Sequence, residues 1–403
     1  MNDEQTDNGA STDISIERRV KKHVRSRNHN WLAVCAPGLE DILRGELTGL
    51  GISPSQEGVR GGVEFEGRLQ DGIQANLFLR TASRVLVRIN SFKARAVEDV
   101  FRETAAVPWE AWLPMECAVD LQTTIHESRI DGPTLLANTV RDAILRHFGD
   151  QSLPPPRFVD VAGAQKLLIR LDSDRMTISL DSSGDLLHRR GWRGAPVSAP
   201  IRETLAAAIL IAAGYNGTEP LVDAMCGSGT FGIEAAQIAT ATPAGLSAAQ
   251  PRHFAFMDWP SFPQATFNHM VSHAMPAAAA TPAPIICRDI DPLALTAARR
   301  NADACVAGNL VRFEPADFLE APPPCPSGLV VMNPPYGLRL QANDPPAAHF
   351  RRIARVLASR WRGWRYAIVL PDAALARQWP LPASSRLDFK HGGLDAVSLI
   401  GTI

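Results

Sequence analysis

The stretch LVDAMCGSGT, residues 221–230, decides the fold class of this chain of 403 residues. Its apolar start predicts a β-strand that ends at Asp223. Gly227 and Gly229 predict a tight turn in which the backbone can approach a ligand closely. Residues 231–239 then place apolar side chains at helical spacing. A strand, a glycine turn and a helix in this order predict a doubly wound α/β sheet, which binds ligands at the carboxyl ends of its strands.

The glycine turn is a candidate site for a nucleotide-type cofactor. Thr230 is predicted to cap the helix, and the small Cys226 side chain allows close approach without a catalytic role. A G-x-G-x-x-G pattern begins at Gly227, but the acidic strand end that NAD-binding folds carry about 20 residues later is missing, because residues 241–251 are rich in Ala, Pro and Ser. The candidate cofactor-binding residues here are Asp223, Cys226, Gly227, Ser228, Gly229 and Thr230.

Two later strand ends carry acidic candidates for the same cofactor. In IICRDIDP, residues 285–292, Asp291 precedes a proline and a helical segment, a position that favours helix capping. Asp289, at the strand end itself, is therefore predicted to bind ribose hydroxyls. Asp317 follows another short strand and is predicted to accept a hydrogen bond from an adenine amino group. The alternative for Asp317 is an ordinary loop acid.

A second motif, Asn333-Pro334-Pro335-Tyr336, follows the apolar run at residues 328–332. A carboxamide oxygen and a proline carbonyl can accept both hydrogens of a planar amine, and such contacts orient its nitrogen for reaction. The prolines restrict the turn, and the tyrosine ring can stack on a base, a contact of about 1–3 kcal/mol. The alternative is a plain Pro-Pro turn that ends a buried strand. The predicted catalytic residues are Asn333, Pro334, Pro335 and Tyr336.

With both motifs, the chain resembles class I methyltransferases that use S-adenosylmethionine (SAM) to methylate a planar exocyclic amine. More specifically, it resembles bacterial THUMP-domain RNA methyltransferases that make N2-methylguanosine in 23S rRNA. The resemblance extends from about residue 31 to the end of the chain. It rests in addition on CAPGLE at 35–40, NLFLRTASRV at 76–85, LHRRGWR at 187–193 and ETLA at 203–206.

Together with the polar and basic start of the chain, this resemblance implies an α/β architecture in four segments. They are a disordered basic tail (1–30), a ferredoxin-like segment (31–90), a THUMP RNA-binding domain (91–186) and a Rossmann-like SAM methyltransferase domain (187–403). The second methyltransferase that some members carry is not expected here. The implied reaction is methyl transfer to guanosine N2 in structured RNA, with 23S rRNA as the first candidate and tRNA as the second. A DNA amino-methyltransferase, a protein-glutamine methyltransferase and a non-catalytic ribosome-assembly protein stay open.

Two basic segments are candidates for RNA contact. The cluster at 188–193 and Arg339, just after the tyrosine motif, are predicted to contact phosphate or the target nucleotide. The alternative for the cluster is that Trp192 packs a domain interface and the arginines pair with acids. RRVKKHVRSR, residues 18–27, is either an RNA-binding arm or a solvated helix start. The predicted RNA-binding residues are Arg189, Arg190, Trp192, Arg193 and Arg339.

Composition limits the class of protein without naming it. The net charge of −1 lacks the basic excess of a typical RNA-binding protein. The sequence contains no run of 18 apolar residues, so it indicates no transmembrane helix. The six cysteines show no CxxC spacing, which argues against zinc and against a disulfide framework. We therefore expect a cytoplasmic protein without metal or membrane partner, whose oligomeric state is open.

Overall fold

The computed structural model describes residues 16–56, 58–194, 200–274, 282–335, 346–391 and 394–403. Its strands form two sheets of seven strands each. Residues 29–181 build the first sheet, and residues 221–402 build the second. Both sheets are covered by helices, so the α/β class expected from the sequence is confirmed.

The first sheet has the strand order β2-β1-β3-β7-β6-β4-β5 and is largely antiparallel. Its strands are β1 (His29–Val34), β2 (Gly62–Gly67), β3 (Arg84–Lys93), β4 (Ala118–His126), β5 (Arg157–Phe158), β6 (Gln165–Asp172) and β7 (Arg175–Asp181). Its helices are α2 (Glu40–Gly49), α3 (Leu69–Phe78), α4 (Val97–Ala105) and α5 (Pro133–Asp150). Alternate residues of β6 are buried, as expected of a sheet with one face on the core.

The predicted boundary at residue 90 falls inside β3. This strand pairs with β1 on one side and with β7 on the other. The predicted ferredoxin-like and THUMP segments therefore share one continuous sheet, which we call the N-terminal unit (residues 29–181). Local sequence patterns do not reveal this sharing, because the pairing of β3 with β7 joins residues that lie far apart in the chain.

The second sheet has the order β10-β9-β8-β11-β12-β14-β13. Its first five strands are parallel, and β14 and β13 form an antiparallel edge. The strands are β8 (Leu221–Asp223), β9 (Ile285–Asp289), β10 (Val311–Pro315), β11 (Leu329–Met332), β12 (Arg365–Leu370), β13 (Ser385–His391) and β14 (Leu394–Thr402). Neighbouring residues of β8 enter different cores, Leu221 on one face and Val222 on the other. The doubly wound sheet is thus confirmed.

The second sheet and its helices lie within residues 200–403, which we call the catalytic half because both motifs singled out in the sequence fall in it. Its helices are α6 (Glu203–Ala212), α7 (Thr230–Ala239), α8 (Gln264–Ala274), α9 (Pro292–Asp303), α10 (Pro346–Arg360) and α11 (Ala373–Arg377). Apolar residues of α10, among them Ile353 and Leu357, pack against the face of the sheet that Val222 enters. Over the described ranges, no helix is long and apolar enough to cross a membrane.

Residues 16–25 are helical and form α1, of which Lys21–Arg25 are wound as a π-helix. The prediction of a disordered tail over residues 1–30 is therefore wrong for its second half; residues 1–15 lie outside the described part. Val20 and Val24, one helical turn apart, are both 0% exposed and belong to the main core. The basic residues around them concealed this apolar pair in the sequence.

The N-terminal unit and the catalytic half meet in a close interface. The Arg80 guanidinium donates to the backbone carbonyls of Gln237 and Thr242, at 3.1 and 2.6 Å. A Cβ atom on Gly245 would lie 3.0 Å from the Asn76 carbonyl oxygen, so the two backbones approach closely there. The indole of Trp259 donates to a side chain of β6.

A buried charge network attaches α1 to the N-terminal unit. Glu110 accepts from Arg19 at 2.6 Å and contacts His147 Nε2 at 2.5 Å. Burial raises the pKa of Glu110, but the hydrogen bonds from His147 and Arg19 outweigh it and lower that pKa to about 2. For His147, burial lowers the pKa, and the contacts with Glu110 and the Ala105 carbonyl outweigh it, so its pKa is raised above 6.5.

These opposite shifts predict a pH-dependent stabilisation. The raised pKa of His147 means that its protonation stabilises the folded protein fully below pH 6.5, its ordinary pKa. This stabilisation is lost as the pH rises through the pKa of His147 in the folded state. The lowered pKa of Glu110 means that its ionised carboxylate stabilises the folded protein above pH 4.5, its ordinary pKa. This stabilisation is lost as the pH falls towards about 2, the pKa of Glu110 in the folded state. We expect the melting temperature of the wild type to exceed that of His147→Gln at pH 6, and the difference to shrink by pH 8.5. A difference that stays constant over this range would contradict the assignment.

Candidate active site

The candidate site lies where the strand order of the second sheet reverses. From β8 the chain continues outward to β9 and β10, then returns to β11 on the other side of β8. Open α/β sheets bind ligands in the crevice at such a switch point. Asp223, the last residue of β8, pairs in register with Val331, so Asn333 lies just beyond the neighbouring strand end. The structure thus brings the two sequence motifs together.

Three glycines shape the loop after β8 and the first turn of α7 in different ways. Gly227 and Gly229 have φ angles of 51° and 81°, in the left-handed region that side chains disfavour. A Cβ atom on Gly227 would meet nothing within 4 Å, so open space adjoins the loop there. A Cβ atom on Gly232 would come within 2.2 Å of the Cys287 sulfur. This last glycine therefore permits close packing of α7 on the sheet.

The predicted cap of α7 requires a correction. Gly229, not Thr230, is the N-cap residue, and no side chain caps this helix end. Thr230 is the first helical residue, and its hydroxyl accepts a hydrogen bond from Arg193 at 2.9 Å. The left-handed turn of the loop continues up to Gly229, which leaves the threonine inside the helix.

The two aspartates at the end of β9, Asp289 and Asp291, make different contacts. Asp291 is the N-cap of α9, and its carboxylate accepts from the Leu293 N–H, which confirms the capping role. The Asp289 carboxylate accepts from the Gly227 N–H at 2.8 Å and from the Asp291 N–H at 3.0 Å. Asp289 thus joins the end of β9 to the glycine loop. Each of its oxygens has one further lone pair for a ligand.

Asp223 is a buried carboxyl group whose two oxygens accept no hydrogen bond of good geometry from the described residues, although the N–H groups of Gly232 and Met225 lie near it. Burial raises its pKa well above 3.8, and the Asp289 charge adds to this effect, while the N–H groups of Gly232 and Met225 act in the opposite direction. An orphaned buried carboxylate is costly. It is therefore a position that a cationic or hydrogen-bonding group of a ligand would complete.

Asn333 is the second orphaned group of the site. Its side-chain oxygen is buried and accepts no hydrogen bond from any described residue. Pro334 is buried and Pro335 is half-buried in the turn that follows β11. Tyr336 and Arg339 lie outside the described residues.

The third predicted acid, Asp317, is half-buried after β10, and its carboxylate accepts from the Leu319 N–H at 2.8 Å. This contact is a local turn, so the ordinary structural alternative stays open. Sequence reasoning missed the apolar residues Ile290 and Leu293, which follow Asp289 in the chain and are 71% and 78% exposed. The sequence did indicate the exposure of Ile290, because an isoleucine between two aspartates at a strand end is expected to lie outside the core.

The predicted RNA contacts of Arg190 and Trp192 are wrong in this structure. Arg190 is 3% exposed, and its guanidinium pairs with the buried carboxylate of Glu234 on α7 at 3.2 Å. Trp192 is 1% exposed and packs against Ile233 in a small core. Burial by the catalytic half removes both side chains from the surface. Arg189 is exposed and lies 3.7 Å from Asp185.

Arg193 supports the cofactor loop rather than the surface. Its guanidinium donates to the hydroxyls of Ser228 and Thr230, at 3.0 and 2.9 Å, and pairs with Glu203 at 2.7 Å. The predicted RNA contact of Arg193 is therefore also wrong, because its donors are already used inside. Asn301 of α9 reinforces the loop by donating to the Ser228 carbonyl at 3.0 Å. Nothing in the sequence distinguished this asparagine.

The residues present fit a SAM-type cofactor. Open space adjoins Gly227, an acid with free acceptor capacity ends β9, and two polar groups without hydrogen-bond partners among the described residues, Asp223 and Asn333, lie at neighbouring strand ends of the switch point. A doubly wound sheet with a glycine loop after its first strand and Asn-Pro-Pro after its fourth defines a SAM-dependent methyltransferase of the Rossmann-like class. Residues 190–394 match the family model described as the RMKL-like methyltransferase domain, and residues 30–86 match the RlmL ferredoxin-like domain. The chain belongs to the RMKL-like methyltransferase family.

Curated relatives match nearly the whole chain. A protein of Synechocystis sp. described as RNA methyltransferase slr0064 is 31% identical over 378 residues, which cover 92% of this chain and 95% of the relative. The ribosomal RNA large subunit methyltransferase K/L of Syntrophotalea carbinolica is 32% identical over 376 residues, or 91% of this chain and 52% of that protein. The chain thus spans about half the length of the second relative.

Solved structures show the same fold. SMU.472, a methyltransferase in complex with SAH, superposes with a TM-score of 0.82 at 27% identity, covering 93% of this chain and 98% of that one. A Listeria monocytogenes protein described as an N6-adenine-specific DNA methylase gives 0.80 at 28% identity, covering 93% and 96%. SAM is therefore the cofactor of this chain.

Proposed function

We propose that this chain transfers a methyl group from SAM to the exocyclic N2 amine of a guanosine in structured RNA, with 23S rRNA as the target. The observation that carries the proposal is the Asn333 side-chain oxygen, which is buried at the switch point without a donor. The names of two relatives, an RNA methyltransferase and a ribosomal RNA large subunit methyltransferase, support RNA as the substrate. The choice of guanine N2 rests on the resemblance of the sequence motifs.

The residues of the turn after β11 would orient the amine. The Asn333 oxygen and the Pro334 carbonyl can each accept one N–H of a planar amino group, which directs the nitrogen lone pair out of the ring plane. When bound, SAM supplies an electrophilic methyl group. Direct displacement would form the N–C bond as the S–C bond breaks and releases SAH, and the methylated nitrogen would then lose its proton. Tyr336 is proposed to stack on the base.

The cofactor contacts follow from the strand ends. Asp289 would accept from the ribose hydroxyls, and the exposed Ile290 beside it offers an apolar contact for the adenine face. Asp317 would accept from the adenine amino group. The orphaned Asp223 carboxyl is suited to the ammonium group of the methionine part, whose positive charge would lower the raised pKa of Asp223.

A matched pair of substitutions tests the ribose contact. Asp289→Asn is expected to raise the dissociation constant of SAH about 10- to 100-fold, since hydrogen bonds to a charged group contribute about 1.5–3 kcal/mol. Asp291→Asn is the control, because asparagine caps helices about as well as aspartate. Isothermal titration calorimetry measures both. Equal weakening by the two variants would remove Asp289 from the proposed contact.

The reaction itself is tested with labelled SAM and total RNA from a strain that lacks the gene, followed by nucleoside mass spectrometry. Label in N2-methylguanosine of the 23S fraction is the expected result. Label in tRNA would keep the chemistry and change the substrate. The Asn-Pro-Pro turn also suits DNA amines, so label in added DNA but in no RNA would replace the proposal by a DNA amino-methyltransferase. The THUMP assignment of residues 91–186 and the cytoplasmic location stay predictions.

A further inference from the structure

α1 lies outside the family match, which begins at residue 30, yet it is fixed to both halves of the molecule. On one side Arg19 pairs with the buried Glu110 of the N-terminal unit at 2.6 Å. On the other side Arg25 Nε donates to the Ser261 carbonyl of the catalytic half at 3.3 Å. Val20 and Val24 are buried between these contacts. The helix therefore has a defined inner face.

The outer face of α1 is basic. Its surface consists of the exposed side chains Arg18, Lys21 and Lys22, with Arg27 just after the helix. None of these four side chains forms a hydrogen bond or ion pair with another residue of the described ranges. The only acid of the helix, Glu17, is already paired with Arg25 at 2.8 Å. We call the four residues the α1 basic face.

The pKa of His23 reflects its burial and the positive charge of the residues around the α1 basic face. Burial lowers the pKa of His23, and the charges of Lys22 and Arg27 lower it further. Positive charge is therefore concentrated here, although the whole chain carries a net charge of only −1. Such a patch on a nearly neutral protein attracts a polyanion locally rather than over the entire surface.

We propose that the α1 basic face binds the phosphate backbone of the RNA substrate and fixes its register relative to the active site. This inference rests on the proposed function for its substrate. Phosphate contacts position a nucleic acid without reading its sequence. Because α1 is attached to both halves, a phosphate held on it keeps a constant distance from the switch point. A helix attached to one half alone would not provide that constraint.

The test compares two triple variants that lose equal charge. Arg18→Gln, Lys21→Gln and Lys22→Gln remove three of the four charges of the α1 basic face and leave the anchoring residues Arg19 and Arg25 intact. Arg68→Gln, Lys93→Gln and Arg95→Gln remove exposed charges elsewhere on the N-terminal unit. The probe is deproteinised 23S rRNA, titrated between 50 and 200 mM KCl. Melting temperature and SAH binding, which we expect to be unchanged, verify that each variant is folded.

The α1 variant is expected to bind the RNA about tenfold more weakly and to reduce the slope of log K against log salt by about 2–3, since each lost phosphate contact contributes about 0.7–0.9. Its KM for RNA should rise while kcat is retained. An unchanged slope, or an equal loss in the control, would overturn the proposal. Retained RNA binding with lost binding to phosphatidylglycerol vesicles would also overturn it and indicate a membrane surface. Failure of the proposed function would be seen separately, as absent methyl transfer by the wild type with RNA binding intact.

Discussion

Replacing Asn333 with alanine is expected to lower kcat for methyl transfer about 10²- to 10³-fold. The carboxamide oxygen is the acceptor that would fix the amine, and without it the nitrogen lone pair loses its orientation. The dissociation constant of SAH should change less than about threefold, because hydrogen bonds to substrate, not to cofactor, are removed. Single-turnover kinetics with labelled SAM and calorimetry with SAH measure the two effects.

The melting temperature of Asn333→Ala distinguishes a role of Asn333 in orienting the substrate from a role in stabilising the fold. The Asn333 oxygen has no donor in the described structure, and removing an unsatisfied buried acceptor does not cost a hydrogen bond. The melting temperature of Asn333→Ala should therefore equal or exceed that of the wild type. Asn268→Ala, at an exposed position of α8, is the control and should retain full activity. A fall in melting temperature together with activity would identify Asn333 as a packing residue instead.

Replacing Arg190 with alanine is expected to destabilise the protein by about 3–5 kcal/mol, because it leaves the Glu234 carboxylate buried and unpaired. The substitution also removes the donors to the carbonyls of Leu187 and Arg80, at 2.9 and 2.6 Å. A large decrease in melting temperature and in the urea midpoint is the expected result. RNA affinity of the folded fraction should not change, since this arginine does not reach the surface.

A double substitution distinguishes a buried pair from a simple loss of packing. Arg190→Met combined with Glu234→Leu removes both charges, so it should recover most of the lost stability. Arg146→Ala, which breaks the exposed i,i+4 pair with Asp150, is expected to cost less than about 1 kcal/mol. If the double variant were less stable than Arg190→Ala, the charge of Glu234 would not be the cause of the destabilisation.

The strand ends of the catalytic half were predictable because their signals are local. An apolar run, then Asp223 and two glycines, specifies strand, turn and helix without knowledge of any distant residue. The same holds for Asp291, whose capping role follows from the proline beside it. In a parallel sheet the carboxyl ends share one edge, so the proximity of Asn333 to the glycine loop follows as well.

The errors concern pairings between distant residues. The sequence contains the charge of Arg190 but does not reveal that Glu234 of α7 pairs with it. In the same way, the sequence suggests that Arg193 is an exposed base, because its partners Glu203 and the Ser228 hydroxyl are recognisable only in the folded structure. The burial of α1 depends on two valines among basic residues, and their partners lie in elements far along the chain.

The close interface between the two halves limits how such chains can be recombined during evolution. A catalytic half transferred to a different N-terminal unit would leave the carbonyls of Gln237 and Thr242 without the Arg80 guanidinium. The backbone approach at Gly245 would also have to be recreated by the new partner. We therefore expect new specificities to arise more readily by changes in exposed loops and terminal helices than by exchange of whole domains.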